Sequence, residues 1–403
     1  MKGSSKQQFP SPLDIGASEG RSSFQDLALH LQFCHPAAQR PVLGRLGGFG
    51  RKAFRVARLA IDLVLINASH GTGPVLGRPT GAAHTALGRR PGARWPVVAS
   101  PRNIGTVPVR RAFVTGATGF LGQRVACLLV ARGIEVHASL HRSAPANAPG
   151  VTWHELDLAD EVARRSVFKA ARPDTLIHLA WNVGPDYQTS PENQTWVRRS
   201  GALARTFARA GGQRLLVAGT YAEYDWSKMP LGEESPCRPT SAYGKAKLSL
   251  NRQLLALTDE GLDVVWPRLF FLFGEGERPG RVIPSIIRDV AAGRVIDWIS
   301  PEVRRDYLHA DEAATAMVHL VLTGARGVVN VASGEAPTVR EIARIVAAAL
   351  GAGEPMLASP GRSAPWPPEI RADVTRLHKL GFVPDRTVHD ALASLARASD
   401  RAH

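Results

Sequence analysis

Cysteine is scarce: Cys34, Cys127 and Cys237 are the only three in 403 residues and lie far apart. Such spacing supports neither a disulfide framework nor a zinc site, and it fits a reducing cytoplasm. No metal is expected, and Cys127, in the predicted first helix, is expected in the core. Also missing is any run of about 18 uninterrupted apolar residues. The N-terminus, MKGSSKQQFPSP, lacks the apolar stretch of a secretory signal. A cytoplasmic protein with no membrane partner is expected.

Acidic residues are thin in one region only. Within residues 1–108, 14 Lys and Arg face four acids, a net charge of +10, whereas the remainder carries only +5 of the total +15. The basic residues are not interleaved with aromatics and form no recognisable module, so nucleic acid is not expected as a partner. This extension is rich in Gly, Pro and Arg, with breaker pairs at Gly73-Pro74 and Arg78-Pro79, and is expected to be disordered. Its one candidate element is Phe54 to Asn67, an apolar run with Arg55 and Arg58 near its start that suits an amphipathic helix.

From Ala112 the pattern changes. Apolar runs at Ala112 to Thr115, Glu135 to Leu140, Thr175 to Leu179, Arg214 to Ala218 and Asp263 to Pro267 alternate with helical stretches. The fold class is α/β, a doubly wound parallel sheet covered on both faces. Ligands of such sheets bind at the carboxyl ends of the strands.

After the first run comes TGATGFLG, with Gly116, Gly119 and Gly122, and then a helical stretch. Glycines let a diphosphate approach the backbone, and a helix N-terminus offers free N–H groups and a positive dipole. A dinucleotide site is expected. The second strand lacks the acid that bonds the ribose of NAD and runs instead into His141 and Arg142. A guanidinium there suits a 2′-phosphate, so NADP is favoured while NAD stays open.

SAYGKAK places Tyr243 and Lys247 four apart, on one face of a helix that Thr240 or Ser241 can cap. A phenol with an ordinary pKa of about 10 becomes a usable acid and base when an ammonium stands beside it. The lysine can also bond a nicotinamide ribose. About twenty residues earlier, AGTYAEY presents Thr220, whose hydroxyl can hydrogen-bond the same substrate oxygen.

With these residues in view, the chain from Val109 to Arg397 resembles the extended short-chain dehydrogenase/reductase family, in its NAD-dependent epimerase/dehydratase branch. The resemblance implies a Rossmann-type domain over residues 109–275 and a smaller α/β substrate-binding domain over 276–403, interleaved with the last sheet strands. It implies cofactor contacts from Gly116, Thr118, Gly119, Phe120, Leu121, Gly122 and Arg142. Further cofactor contacts are implied from Asp157 and Leu158 near the adenine, from Leu179, Ala180 and Trp181 of HLAW, and from Tyr243, Lys247 and Arg268. Thr220, Tyr243 and Lys247 are the implied catalytic set, and Thr220, Arg281 and Arg305 the implied substrate contacts, with Arg305 on a nucleotide diphosphate. A homodimer acting on a nucleotide-linked sugar is likewise implied. One departure is the family's asparagine, absent from WVRRSGALARTFARAGG.

Dehydratases of this branch carry an Asp-Glu pair after the hydroxyl residue, because losing water needs a second acid and base. Tyr221 and Ala222 stand there. Dehydration is therefore disfavoured, and a 4-keto-sugar reductase is ranked ahead of a nucleotide-sugar 4-epimerase with tightly bound NAD. The reading from another class is a non-catalytic cofactor-binding scaffold or sensor.

Overall fold

The computed structural model describes residues 107–140, 148–358 and 367–401. The candidate helix at Phe54 to Asn67, the expected disorder of the N-terminal extension and the side chain of Arg142 lie outside the described residues.

The first half of the sheet is built by β1 (Arg111–Thr115), β2 (Glu135–Leu140), β3 (Val151–Glu155), β4 (Thr175–His178) and β5 (Arg214–Val217). The short β6 (Gly219–Thr220), β7 (Asp263–Leu269) and β11 (Gly327–Val331) complete it. Its order is β3-β2-β1-β4-β5-β7-β11, with β6 pairing β7, and every pairing is parallel. The central β4 and β5 are buried along their whole length, as strands covered on both faces must be. At the edge, β3 has a neighbour on one side only, and its sequence VTWHE shows little of an apolar run.

Helix α1 (Gly122–Ala131) follows β1, α2 (Glu161–Ala171) follows β3, and α3 (Glu192–Arg209) follows β4. Helix α4 (Ala242–Leu255) precedes β7. The ends obey local chemistry: Asp160 caps α2 by accepting the Ala163 N–H at 3.0 Å, and Ser241 caps α4 by accepting that of Gly244 at 3.0 Å. One apolar layer joins the sheet to α1 and to α6 (Ala310–Leu322). The other joins it to α2, α3 and α4 through Phe168, Phe207 and Leu250. Both faces are covered, and the chain reverses direction across the sheet between β1 and β4, which places a crevice at their carboxyl ends.

A third core gathers Phe273, Ile286, Ile342 and Leu392. It belongs to α5 (Val282–Ala291), α7 (Val339–Leu350) and α9 (Val388–Asp400). The short α8 (Thr375–Lys379) lies beside β11. Two small parallel pairs, β8 (Phe271–Phe273) with β10 (Tyr307–His309) and β9 (Arg304–Arg305) with β12 (Glu369–Ile370), frame this lobe. Cys127 proves half-buried in α1, not core. Among the described residues, no helix is long and apolar enough to cross a membrane.

Candidate active site

The three glycines after β1 serve different needs. A Cβ on Gly116, whose φ is +72°, would lie 2.7 Å from the Ala180 nitrogen, and one on Gly122 would lie 2.0 Å from the Gly116 oxygen. Those two let the loop close on itself and on the end of β4. Gly119 is different: it is exposed, and its Cβ would meet only the Gly116 oxygen, at 3.1 Å. Its open side is where a diphosphate can come close. No side-chain cap occupies the first turn of α1; the Gln123 N–H donates to the Gly119 carbonyl at 3.1 Å, and the positive end of the helix dipole remains for an anion. Thr118, Phe120 and Leu121 form the rest of the loop, and Arg124 holds it by bonding the Phe120 oxygen at 2.8 Å while lying over that ring. The cradle fits the diphosphate of a nicotinamide dinucleotide.

Arg124 also reaches Asp311 and the Glu275 carbonyl, each at 2.7 Å. Glu275, His309 and Asp311 are grouped closely enough to hold a metal ion. Arg386 donates to His309 Nδ1 at 2.9 Å, so two guanidiniums already occupy this cluster, and it works as an ion-pair tie between the glycine loop and the loop after β8.

At the end of β4, His178 is buried between the Thr115 hydroxyl at 2.6 Å and the Ser200 hydroxyl at 2.8 Å. Burial, and then the nearby Lys247, depress its pKa to about 3. Between that value and the unfolded value of about 6.5, the unfolded chain binds the extra proton, so stability present above pH 6.5 is lost as pH falls towards 3. Urea midpoints measured against pH are expected to fall through this window, and less steeply for His178→Asn. Next along, Leu179 and Ala180 are half-buried, and Trp181 stacks on Trp196 while donating to Asn193 at 2.9 Å. Asp157 is exposed and accepts the Ala159 N–H at 2.8 Å, whereas the Leu158 side chain sits in the core.

Helix α4 presents Tyr243 and Lys247 to the crevice. Tyr243 shares a hydrogen bond with Thr220. Its ring meets Tyr187 edge-on at 4.9 Å and Trp181 at 6.2 Å. Lys247 Nζ donates to the Ala218 carbonyl at 2.9 Å and lies 3.8 Å from the centre of the Trp181 ring. Burial lowers its pKa to about 7, opposed by the charge of Glu223. Burial also raises the pKa of Tyr243 above the ordinary phenol value. The protein groups thus favour the neutral phenol, where the sequence had suggested a phenol made acidic by its ammonium neighbour.

Four of the five tyrosines, Tyr187, Tyr221, Tyr243 and Tyr307, lie within electrostatic reach of Arg281. Arg281 precedes the first turn of α5, half-exposed, with Tyr187 and Glu277 as partners. Glu277 Oε2 and Gln188 Oε1 are buried and lack protein partners, and Gln188 Nε2 donates to the Tyr187 hydroxyl at 2.7 Å. Burial holds the Glu277 carboxyl up at about 7. Tyr187, Gln188 and Glu277 were missed from the sequence; they meet through two loops, and no spacing signals it.

Two further expected contacts are buried arginines with partners inside the chain. Arg268, expected at the nicotinamide, is buried with its Nε donating to Glu223 at 2.9 Å, and it lies 4.3 Å from the centre of the Tyr224 ring. Arg305 is buried beside Phe271 and spends Nη1 on the Arg304 carbonyl at 2.7 Å and the Pro368 carbonyl at 3.3 Å.

Comparison with known proteins bears on this arrangement. Residues 112–332 match the family model described as NAD dependent epimerase/dehydratase family. The chain is 27% identical over 317 residues to dTDP-4-dehydro-6-deoxy-D-allose reductase of Streptomyces bikiniensis, covering 72% of this chain and 95% of that one. It is 28% identical, over 71% of this chain and 93% of the other, to UDP-glucose 4-epimerase of Streptomyces lividans. Among solved structures, MoeE5 in complex with UDP-glucose and NAD is 26% identical, with a TM-score of 0.63 over 72% of this chain and 99% of that one.

Proposed function

The chain belongs to the NAD-dependent epimerase/dehydratase family, and from that membership we propose that it is a reductase of nucleotide-linked 4-keto sugars, using NADP in preference to NAD. When bound, a nicotinamide dinucleotide would supply the hydride for the carbonyl carbon. The Tyr243 hydroxyl gives its proton to the carbonyl oxygen, and Thr220 bonds the same oxygen. Lys247, on the same face of α4, would hold the cofactor's ribose and supply positive charge beside the phenol. The observation that carries the reading is the placement of Tyr243 and Lys247 on one face of α4, with the Tyr243 hydroxyl beside Thr220. A protonated phenol there can deliver the proton that reduction adds to the carbonyl oxygen. Tyr221 and Ala222 offer no second acid and base for dehydration.

Arg281, among the tyrosines at the mouth, is suited to the sugar or its phosphate, with Glu277 and Gln188 as acceptors for sugar hydroxyls. Arg281→Ala is expected to raise KM for the keto sugar about tenfold or more and to leave NADPH affinity within a few fold, by steady-state kinetics and calorimetry. A homodimer is proposed from the family alone.

Calorimetric titration of the full chain with NADPH and NADH, followed by mixing the NADPH complex with dTDP-4-keto-6-deoxy sugars, tests the reading. Tighter NADPH binding with loss of absorbance at the reduced nicotinamide band is expected. Tight NAD binding and UDP-sugar interconversion without net redox would replace it with the 4-epimerase.

A further inference from the structure

Glu223 plays no part in the chemistry assigned so far, yet it is a fully buried acid three residues after Thr220. It ends the turn Tyr221–Glu223 directly after Thr220 and is 0% exposed. Oε1 accepts the Thr220 N–H and the Trp266 Nε1–H, both at 2.9 Å, and Oε2 accepts from Arg268 Nε at 2.9 Å. In return the Thr220 hydroxyl accepts the Ala222 N–H at 3.2 Å, a reciprocal cap that fixes the hydroxyl's position. Trp266 and Arg268 are alternate residues of β7 and share a face. Gly219 makes room for them: a Cβ there would lie 2.1 Å from Trp266 Nε1.

A buried ion pair is rarely worth more to stability than well-packed apolar side chains would be, so its placement is informative. Lys247 bonds the Ala218 carbonyl while Glu223 bonds the Thr220 N–H, so amine and carboxylate are pinned to the same three residues. The titratable groups facing Lys247 are Glu223 from the turn, His178 from β4 and Tyr243 from its own helix. His178 is neutral at working pH and Tyr243 keeps its proton, so Glu223 supplies the negative charge, opposing the burial that strips Lys247 of its proton.

We propose that Glu223 is a positioning residue for the Thr220, Tyr243 and Lys247 site: its carboxylate anchors the Thr220 backbone to β7, next to the Ala218 carbonyl that holds the Lys247 amine. The proposal rests on the reductase reading for its consequence but not for its measurement. Glu223→Gln preserves shape and removes charge; because it leaves Arg268 buried and unpaired, the double variant Glu223→Gln with Arg268→Met is made beside it. Lys247 is titrated in the full chain by competitive acetylation and mass spectrometry, and exchange of the 218–226 amides is followed in parallel.

In either variant the half-point of Lys247 is expected to fall below its native value of about 7, and exchange across Thr220 to accelerate. In turnover, the alkaline limb of the kcat profile then moves to lower pH, with a loss of about tenfold above it and little loss below. A role in structure alone would lower kcat at every pH without moving the limb. An unchanged half-point with unchanged exchange overturns the proposal. A native chain that reduces no keto sugar rejects the reductase reading, while the titration and exchange still decide the role of Glu223.

Discussion

Tyr243→Phe is expected to lower keto-sugar reduction by about a hundredfold to ten-thousandfold while NADPH affinity stays within a few fold. The lower and upper bounds are those of a lost general acid. The variant removes one oxygen. Phenylalanine keeps the edge-on contacts with Tyr187 at 4.9 Å and with Trp181 at 6.2 Å, so the walls of the crevice stay in place. Lys247 keeps its bond to the Ala218 carbonyl and stays available to the cofactor. What disappears is the proton donor and its hydrogen bond with Thr220. Single-turnover oxidation of bound NADPH separates chemistry from product release, and calorimetry reports the binding. A rate within about threefold of native would take the acid role from Tyr243. The proton would then have to come from another group in the crevice or from water.

The parts legible in the sequence are those whose residues lie close together in it. Gly116, Gly119 and Gly122 follow a strand and open a helix, and Tyr243 and Lys247 share one face of α4; both relations are set by the period of a single element. The crevice between β1 and β4 follows from the alternating pattern, because a doubly wound sheet has its switch point there. Arg281 was placed through the family resemblance, not through spacing. Partners joined only by tertiary packing left no such signal. Glu223 and Arg268 are 45 residues apart, and nothing in AGTYAEY says that its acid faces β7 and not solvent. The pairing of Arg268 with Glu223 is required by the cost of burying that carboxylate alone, and this cost appears only once the chain is folded. The shift of Tyr243 had the same origin. Spacing identifies its ammonium neighbour, but burial is a property of the assembled crevice, and burial dominates.

Gly119→Val is expected to abolish measurable NADPH and NAD binding and to leave the fold intact, and the contrast with its two neighbours makes this a test of function. Substitution at Gly116 forces a side chain into the backbone of Ala180, at a positive φ that L residues rarely adopt, and substitution at Gly122 drives a Cβ to 2.0 Å from the Gly116 oxygen. Either change disturbs the loop itself, so a loss of binding there says little. At Gly119 the Cβ meets one oxygen at 3.1 Å, a contact relieved by a few tenths of an ångström, while the branched methyls project over the open side of the loop. They occupy the place where a diphosphate would meet the N–H groups of α1, and they add bulk without removing any hydrogen bond the loop makes. Thermal unfolding within a few degrees of native, together with no calorimetric signal for either cofactor, is the expected pair of results. Binding retained within about tenfold, with the loop intact, would put the diphosphate elsewhere and detach the glycine motif from the cofactor.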